Sequence, residues 1–262
     1  MARQIPVLRM PQTARAISAL ILREVAATHG QSIGGYAWAI LEPVAGIALL
    51  SLIFSMAFAA PPLGQNFALF YATGFLPFMM YLDLSQKVSV AIRYNKPLLI
   101  YPGVTFLDAL IARWALAALT HALVAAIVFG GLFAIYDTGV RVEARYIAGA
   151  FVLTACLGLG VGALNCALLS LFPTWERIWA VANRPLFIIS SIFFLPSSLP
   201  EPYQSLVAWN PLVHVIAMMR RGFYGLYRPD FLSVGYVLAV SGGCMFVGVA
   251  LLRRHYRRVL NA

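Results

Sequence analysis

Residues 37–59 read AWAILEPVAGIALLSLIFSMAFA, one charged side chain, Glu42, in an otherwise apolar run. A helix rises ~1.5 Å per residue and a bilayer's hydrocarbon core is ~30 Å thick, so roughly 20 apolar residues make one crossing. This run is long enough. Five further runs follow it, at about 67–84, 110–135, 146–172, 179–195 and 231–252. The predicted fold is an all-α integral membrane protein with six transmembrane helices.

Hydrophobic residues make up 61% of the 262, and charged residues only 11%. That balance leaves no soluble core beside the spans. Residues 1–262 are read as one membrane domain: a tail and interfacial helix at 1–36, a six-span bundle at 37–252, and a tail at 253–262. Residues 1–30 lack the continuous apolar stretch and small-residue cleavage site of a signal peptide. Cys156, Cys166 and Cys244 lie inside apolar runs and read as small buried hydrophobes, not as a disulfide or metal framework.

The formal charge of +10 has a membrane explanation, because Lys and Arg are retained on the cytoplasmic side. Placed against six spans, 14 of the 19 basic residues fall on one face. They are Arg3, Arg9, Arg15, Arg23, Lys87, Arg93, Lys96, Arg113, Arg177, Arg184, Arg253, Arg254, Arg257 and Arg258. The opposite loops hold Arg141, Arg145, Arg220, Arg221 and Arg228. Both termini are therefore expected in the cytoplasm, and no separate basic domain is left to bind nucleic acid.

Two segments do not span. Residues 13–28 put Ile17, Leu20, Ile21 and Val25 on one helical face and Arg15 and Arg23 opposite, the pattern of an interfacial helix, although Glu24 falls near the apolar face. Residues 196–230 are too apolar for a solvated loop and are interrupted by Pro196, Pro200, Pro202 and Pro211. They read as a re-entrant helical hairpin between spans five and six, the alternative being an interfacial cap; irregular backbone at membrane depth needs protein or a wet cavity around it. Two short helices are expected, broken near Trp209-Asn210-Pro211, since Pro cannot donate a backbone hydrogen bond. Asn210 is placed to satisfy the exposed backbone.

No phosphate-binding loop is present: neither lysine, Lys87 or Lys96, sits in a Gly-Lys-Ser/Thr context. His29, His121, His214 and His255 lack metal-ligand companions at helical spacing. Ionisable residues inside spans are functional candidates because they are costly in lipid. These are Glu42, Asp83, Asp108, Arg113 and Arg184, with snorkelling or pairing at the interface as the alternative. His121 reads as a packing residue bonded to a neighbouring helix. Gly158 and Gly162 form a small-xxx-small step for close helix packing, within the chain or between copies.

The stretch Leu22–Pro43, LREVAATHGQSIGGYAWAILEP, resembles the opening of type-2 ABC transporter permeases that export polysaccharides. Arg23, Gly30, Gly34, Gly35, Tyr36, Trp38, Glu42 and Pro43 carry the likeness, and Thr28-His29 is a departure. WNPLVHVIAMMRRGFY, 209–224, resembles the same family's N-P-x-x-H segment before the last span. Within that family the chain is most similar to the capsular-polysaccharide export permeases of Gram-negative bacteria. The resemblance implies a homodimer in the bacterial inner membrane that binds no cofactor itself. Two copies of an ABC ATPase subunit would hold ATP and Mg, a periplasmic adaptor and an outer-membrane exporter would continue the route, and the substrate would be a lipid-linked polysaccharide. O-antigen and teichoic-acid export are alternative substrates. A membrane-embedded glycosyl- or acyltransferase would need an acid or His pair at a cytoplasmic rim, and a channel or secondary transporter is favoured by an inverted repeat; neither feature stands out.

On this reading the residues divide into three groups. Arg23, Trp38, Glu42, Asn183 and Arg184 form a lateral portal for the substrate, with Glu42 pairing Arg184 at rest or the two forming only a structural pair. Lys87, Arg93, Tyr94, Asn95 and Lys96, on a short helix within 86–98, couple to the ATPase, and Glu176 and Arg177 add a smaller contact; a lipid anchor is the alternative for this segment. Trp209, Asn210, Pro211 and His214 form a periplasmic gate, or else a static cap. The charge asymmetry yields a direct test. Cysteines at Gln65 and Asn261 should be labelled from opposite sides of the membrane, and labelling of both from one side would refute the six-span topology.

Overall fold

The computed structural model describes residues 12–29, 34–99 and 104–255. Arg3, Arg9, Gly30, Arg257 and Arg258 lie outside these residues, as do the side chains of His29 and Tyr36. Among the described residues the regular structure is all helical, with no strand: α1 (Gln12–His29), α2 (Gly34–Ala57), α3 (Phe67–Ser89), α4 (Ala91–Asn95), α5 (Phe106–Ile135), α6 (Ala144–Leu171), α7 (Trp175–Ile189), α8 (Tyr203–Ala208), α9 (Pro211–Phe223) and α10 (Val234–Arg254). Five of them, α2, α3, α5, α6 and α10, are long and apolar enough to cross a membrane.

Helix α3 is the axis of the bundle. It is buried along most of its length and packs against α2, α5, α6 and α9. Small residues set how closely its neighbours approach. A Cβ on Gly158 or Gly162 of α6 would stand 2.7 Å from Leu84 or Val88 of α3. Gly160 and Gly248 bring α6 and α10 into backbone contact in the same way, at Ser241 and at Ala163–Leu164. The Gly158/Gly162 step therefore joins helices of one chain. Side chains add polar ties: Trp114 Nε1 donates to the Ala155 carbonyl at 2.8 Å, and Trp175 Nε1 to Asn165 Oδ1 at 2.9 Å.

Helix α1 lies along α5. Leu20 is buried, and so is Glu24, whose Oε1 accepts from Arg113 Nε at 3.0 Å. The acidic residue that interrupted the apolar face is the anchor of that face: it meets the one basic side chain inside the start of α5. The Arg113 guanidinium also lies 4.2 Å over the Tyr94 ring. Asp108, a candidate for function in the sequence, instead completes a capping box. Its carboxylate accepts from the Thr105 backbone N–H at 2.8 Å, while Thr105 Oγ1 accepts from the Asp108 N–H at 3.2 Å.

The fifth apolar run does not form a full-length helix. Read as 179–195, it begins at Trp175 and ends at Ile189, and fifteen residues rise only ~22 Å. The chain turns at Ser190 and Ser191, the latter at φ 57. The carbonyls released by this turn are taken by Arg220. Its guanidinium donates to Ile192 O at 2.8 Å and Phe194 O at 3.0 Å and sits 4.3 Å over the Phe70 ring. Gly74 makes the room, since a Cβ there would press on the Ile192 backbone at 3.2 Å. Arg220 and Arg221 are therefore not loop residues: both belong to α9, and Arg220 is wholly buried.

Removing Arg220 strands the buried Ile192 carbonyl, at about 1–3 kcal/mol, and the part-buried Phe194 carbonyl at less. Arg220→Met should lower the thermal midpoint of the purified chain in detergent markedly, and Arg220→Lys should lower it less. An unchanged midpoint for Arg220→Met would show that the turn holds without it.

Candidate functional site

A cavity of about 440 Å³ opens between α2, α3, α5 and α7. Glu42, Asp83, Lys87, His121 and Asn183 line it together. Asp83 is the hub: Oδ2 receives Lys87 Nζ at 2.8 Å and lies 3.0 Å from His121 Nε2. Lys87 reaches it because i and i+4 share one face of a helix. His121 is thus bonded to a neighbouring helix, as its position in the sequence implied. Glu42 has no ion-pair partner among the described residues, and Asn183 Oδ1 is buried without a hydrogen bond. The cavity therefore holds two acceptors that remain unmatched.

Two of the five expected portal residues, Glu42 and Asn183, meet here. Arg184 does not: it is exposed and makes no ion pair with Glu42. One step along a helix rotates a side chain by ~100°, so when Asn183 faces the cavity Arg184 cannot. Trp38 is 63% exposed and outside the lining. Arg23 points elsewhere, with Nη1 3.5 Å from Asn95 Oδ1.

The expected coupling residues also divide. Arg93 on α4 lies 3.5 Å from Glu176 at the start of α7, and both are more than half exposed. The two chain segments therefore share one surface, with Tyr94 and Arg177 also exposed on it and Lys96 half-buried. Lys87 and Asn95 do not belong to that surface. Gln86–Ser89 is the last turn of α3, so Lys87 turns toward Asp83. Asn95 is buried, its amide donating to Ala91 O at 3.0 Å.

At the other end of the bundle, α8 and α9 are the two expected short helices, broken at Trp209-Asn210 with Pro211 in the first turn of α9. Asn210 Oδ1 accepts from the Leu212 N–H at 3.0 Å, and Nδ2 donates to Ser190 Oγ at 3.0 Å. The helix break is thereby fastened to the turn that ends α7. His214 Nδ1 accepts from the Ser233 N–H at 3.1 Å, which places the ring proton on Nε2, 2.8 Å from Ala208 O. Trp209 is 74% exposed, and its carbonyl accepts from the Tyr236 hydroxyl at 2.6 Å. Among the described residues no three His, Cys, Asp or Glu side chains converge as a metal would require.

The sequence profile of the family described as ABC-2 type transporter matches residues 15–224, from α1 to the end of α9. The chain belongs to the ABC-2 type transporter family. It is 29% identical over 249 residues to the polysialic acid transport protein KpsM of Escherichia coli, covering 94% of this chain and 95% of that one. It is 26% identical over 246 residues to the capsule polysaccharide export inner-membrane protein BexB of Haemophilus influenzae (94% and 92%). It is 25% identical over 245 residues to CtrC of Neisseria meningitidis, a capsule polysaccharide export inner-membrane protein (94% and 92%).

Three contacts of this ABC-2 transporter chain were not foreseen. The Glu24–Arg113 pair was signalled only by an acid on an apolar face, and the Asp83–Lys87 pair by i, i+4 spacing. Nothing in the sequence tied Arg220 to the carbonyls after α7.

His214 supplies a pH test. Burial pushes its pKa below the ordinary value of 6.5, so the unfolded chain binds the proton first and stability rises with pH. The contribution is complete above the ordinary imidazole value and is lost as pH falls toward the depressed one, where a second ring proton displaces the Ser233 N–H. The thermal midpoint should therefore fall between pH 7 and pH 5, and His214→Gln should flatten that slope. An equal slope in both proteins would remove His214 as its cause.

Proposed function

We propose that this chain is the inner-membrane permease subunit of an ABC exporter that moves a lipid-linked capsular polysaccharide out of the cytoplasm. As an ABC-2 type transporter it is a membrane transport subunit, not an enzyme, and its family implies an ABC ATPase partner. The observation that carries the reading is similarity along nearly the whole chain to permeases named for capsule polysaccharide export and polysialic acid transport. ATP and Mg are then bound by the separate ATPase, and this chain needs no cofactor of its own.

The finer arrangement is part of the same proposal. Residues 1–262 form one permease domain of six crossings, α7 and the turn after it together making the fifth, with both termini cytoplasmic. The sorting of basic residues supports that orientation. The permease is a homodimer with two ATPase copies, and the glycan passes between protomers toward a periplasmic adaptor and an outer-membrane exporter. Helices α2 and α7 bury little of themselves within the chain, which suits them to line such a pathway or face lipid. The glycan's polar groups come in sideways at the cavity holding Glu42 and Asn183, with Asp83, Lys87 and His121 at its wall and Trp38 and Arg184 outside. Segment 196–230 is a re-entrant hairpin that gates the exit.

The joint surface of α4 and the start of α7 is where the ATPase docks. Its cations Arg93 and Arg177 are exposed, Lys96 is half-buried, and the Arg93–Glu176 pair is weak, so it exchanges readily for a partner's groups. Arg93→Glu with Lys96→Glu should leave insertion and the thermal midpoint unchanged. It should abolish co-purification with the partner ABC ATPase and glycan export by whole cells. Normal association and export in that variant would refute the docking surface, and a wild-type chain that neither binds an ABC ATPase nor supports export would refute the function.

A further inference from the structure

The loops at the end of the bundle away from α1 and α4 enclose a second cavity of about 820 Å³, within the size of small-molecule sites, ~300–1,000 Å³. Tyr224, Tyr227 and Phe231 give it aromatic walls, and Arg141 and Arg228 stand on its lining from two different loops. Both arginines are exposed, and neither has an ion-pair partner among the described residues. Their neighbours differ in this respect: Arg145 is held by Glu143 at 2.8 Å, and Arg221 lies over the Tyr146 ring at 4.2 Å. Asp230 also lines the cavity, so its charged side chains sum to one excess positive charge.

The cavity is built, and not merely left between loops. The Tyr224 hydroxyl is buried without a hydrogen-bond partner, an unmet demand of the kind native structures rarely leave. Its ring is held by Gly64, where a Cβ would stand 2.7 Å from it and where φ is +72, so only glycine suits the turn on both counts. Ring faces carry negative charge and attract the C–H faces of sugars, and a guanidinium fork matches a carboxylate in two parallel hydrogen bonds.

We propose that this cavity is an exit-side binding site for an anionic saccharide, its ring laid on Tyr227 and Phe231 and its carboxylate held by Arg141 and Arg228. The site deepens the export reading and rests on it: a glycan leaving the pathway meets a site that retains acidic sugar units as the pathway closes behind them. The asymmetry of charge sets the specificity. Neutral sugars engage only the rings, while acidic sugars engage rings and arginines together.

The test uses the full-length chain in phosphatidylcholine nanodiscs with two probes, tri-galacturonate and neutral maltotriose, and saturation-transfer NMR or calorimetry as readout. Tri-galacturonate should bind at least about tenfold more tightly, the fold-change that about 1.4 kcal/mol of charge-assisted bonding gives. Arg141→Gln with Arg228→Gln should erase that preference, and Tyr227→Ala should weaken both probes. Because the arginines are exposed, the double variant should keep its thermal midpoint. Equal binding of the two probes, no binding, or a preference that survives the double variant would overturn the site. So would displacement of the preference to phosphatidylglycerol, with the two arginines holding a lipid phosphate and no trisaccharide. Probe binding requires neither ATP nor transport, so export without probe binding removes this site alone, whereas a chain that binds the probe but never exports removes the function and leaves the site.

Discussion

A guanidinium without a carboxylate, buried among helices, is the constraint on which the α8–α9 end of this molecule depends. A helix that stops inside a bundle leaves its following carbonyls without partners, and in an apolar medium each such group is costly. Arg220 resolves the stop after α7 by donating to Ile192 and Phe194, while the face of Phe70 offsets part of its own charge. Asn210 adds a second fastening, from the α8–α9 break to Ser190. The end of one helix, the start of another and the central helix α3 are thus joined at a single place. The N-P-x-x-H segment owes its residue types to that junction: Asn caps, Pro opens the helix where no N–H is needed, and His links the Ala208 carbonyl to the Ser233 N–H.

The charges at the opposite end are handled differently. Glu24 and Arg113 neutralise one another in a buried contact that fastens α1 to α5. Such a pair is weak evidence for net stability, but removing either member alone leaves an uncompensated charge. Asp83, Lys87 and His121 form a second group, half open to a cavity, where one carboxylate oxygen meets both the ammonium and the ring. Arg93 and Glu176 form a third, at the surface, where water screens it. The three groups run from tightly held to freely exchangeable as they approach the exterior.

Much of this was legible from residue types alone. Helices α2, α3, α5, α6 and α10 follow from run length and hydropathy, since a bilayer imposes a minimum of roughly 20 apolar residues on a crossing. Helix α1 follows from its amphipathic period, and the α8–α9 break from Pro211. What stayed hidden was pairing at a distance. Hydropathy marks 179–195 as one run because Ile192, Phe193 and Phe194 are as apolar as any span, yet the run bends where Arg220, about thirty positions later, donates to its carbonyls. Counting Arg220 with the loops followed from position along the chain, which carries no information about burial. Likewise Asn183 and Arg184 are adjacent in sequence but a third of a turn apart on α7, so only one reaches the cavity, and Lys87 was grouped with Arg93 although a helix end lies between them.

Helix α7 has no fully buried residue. Among the described residues its one side-chain hydrogen bond to α6 is Trp175–Asn165, and its far end is pinned through Ser190 and the carbonyls that Arg220 holds. A rod clamped at its tip and lightly held along its length can tilt about that tip more easily than the buried α3. Force applied at Glu176 would meet little packing before it reaches the clamp, which gives α7 the geometry of a lever with its fulcrum at Ser190. The stiffness of α3 then serves as the fixed frame against which that lever turns.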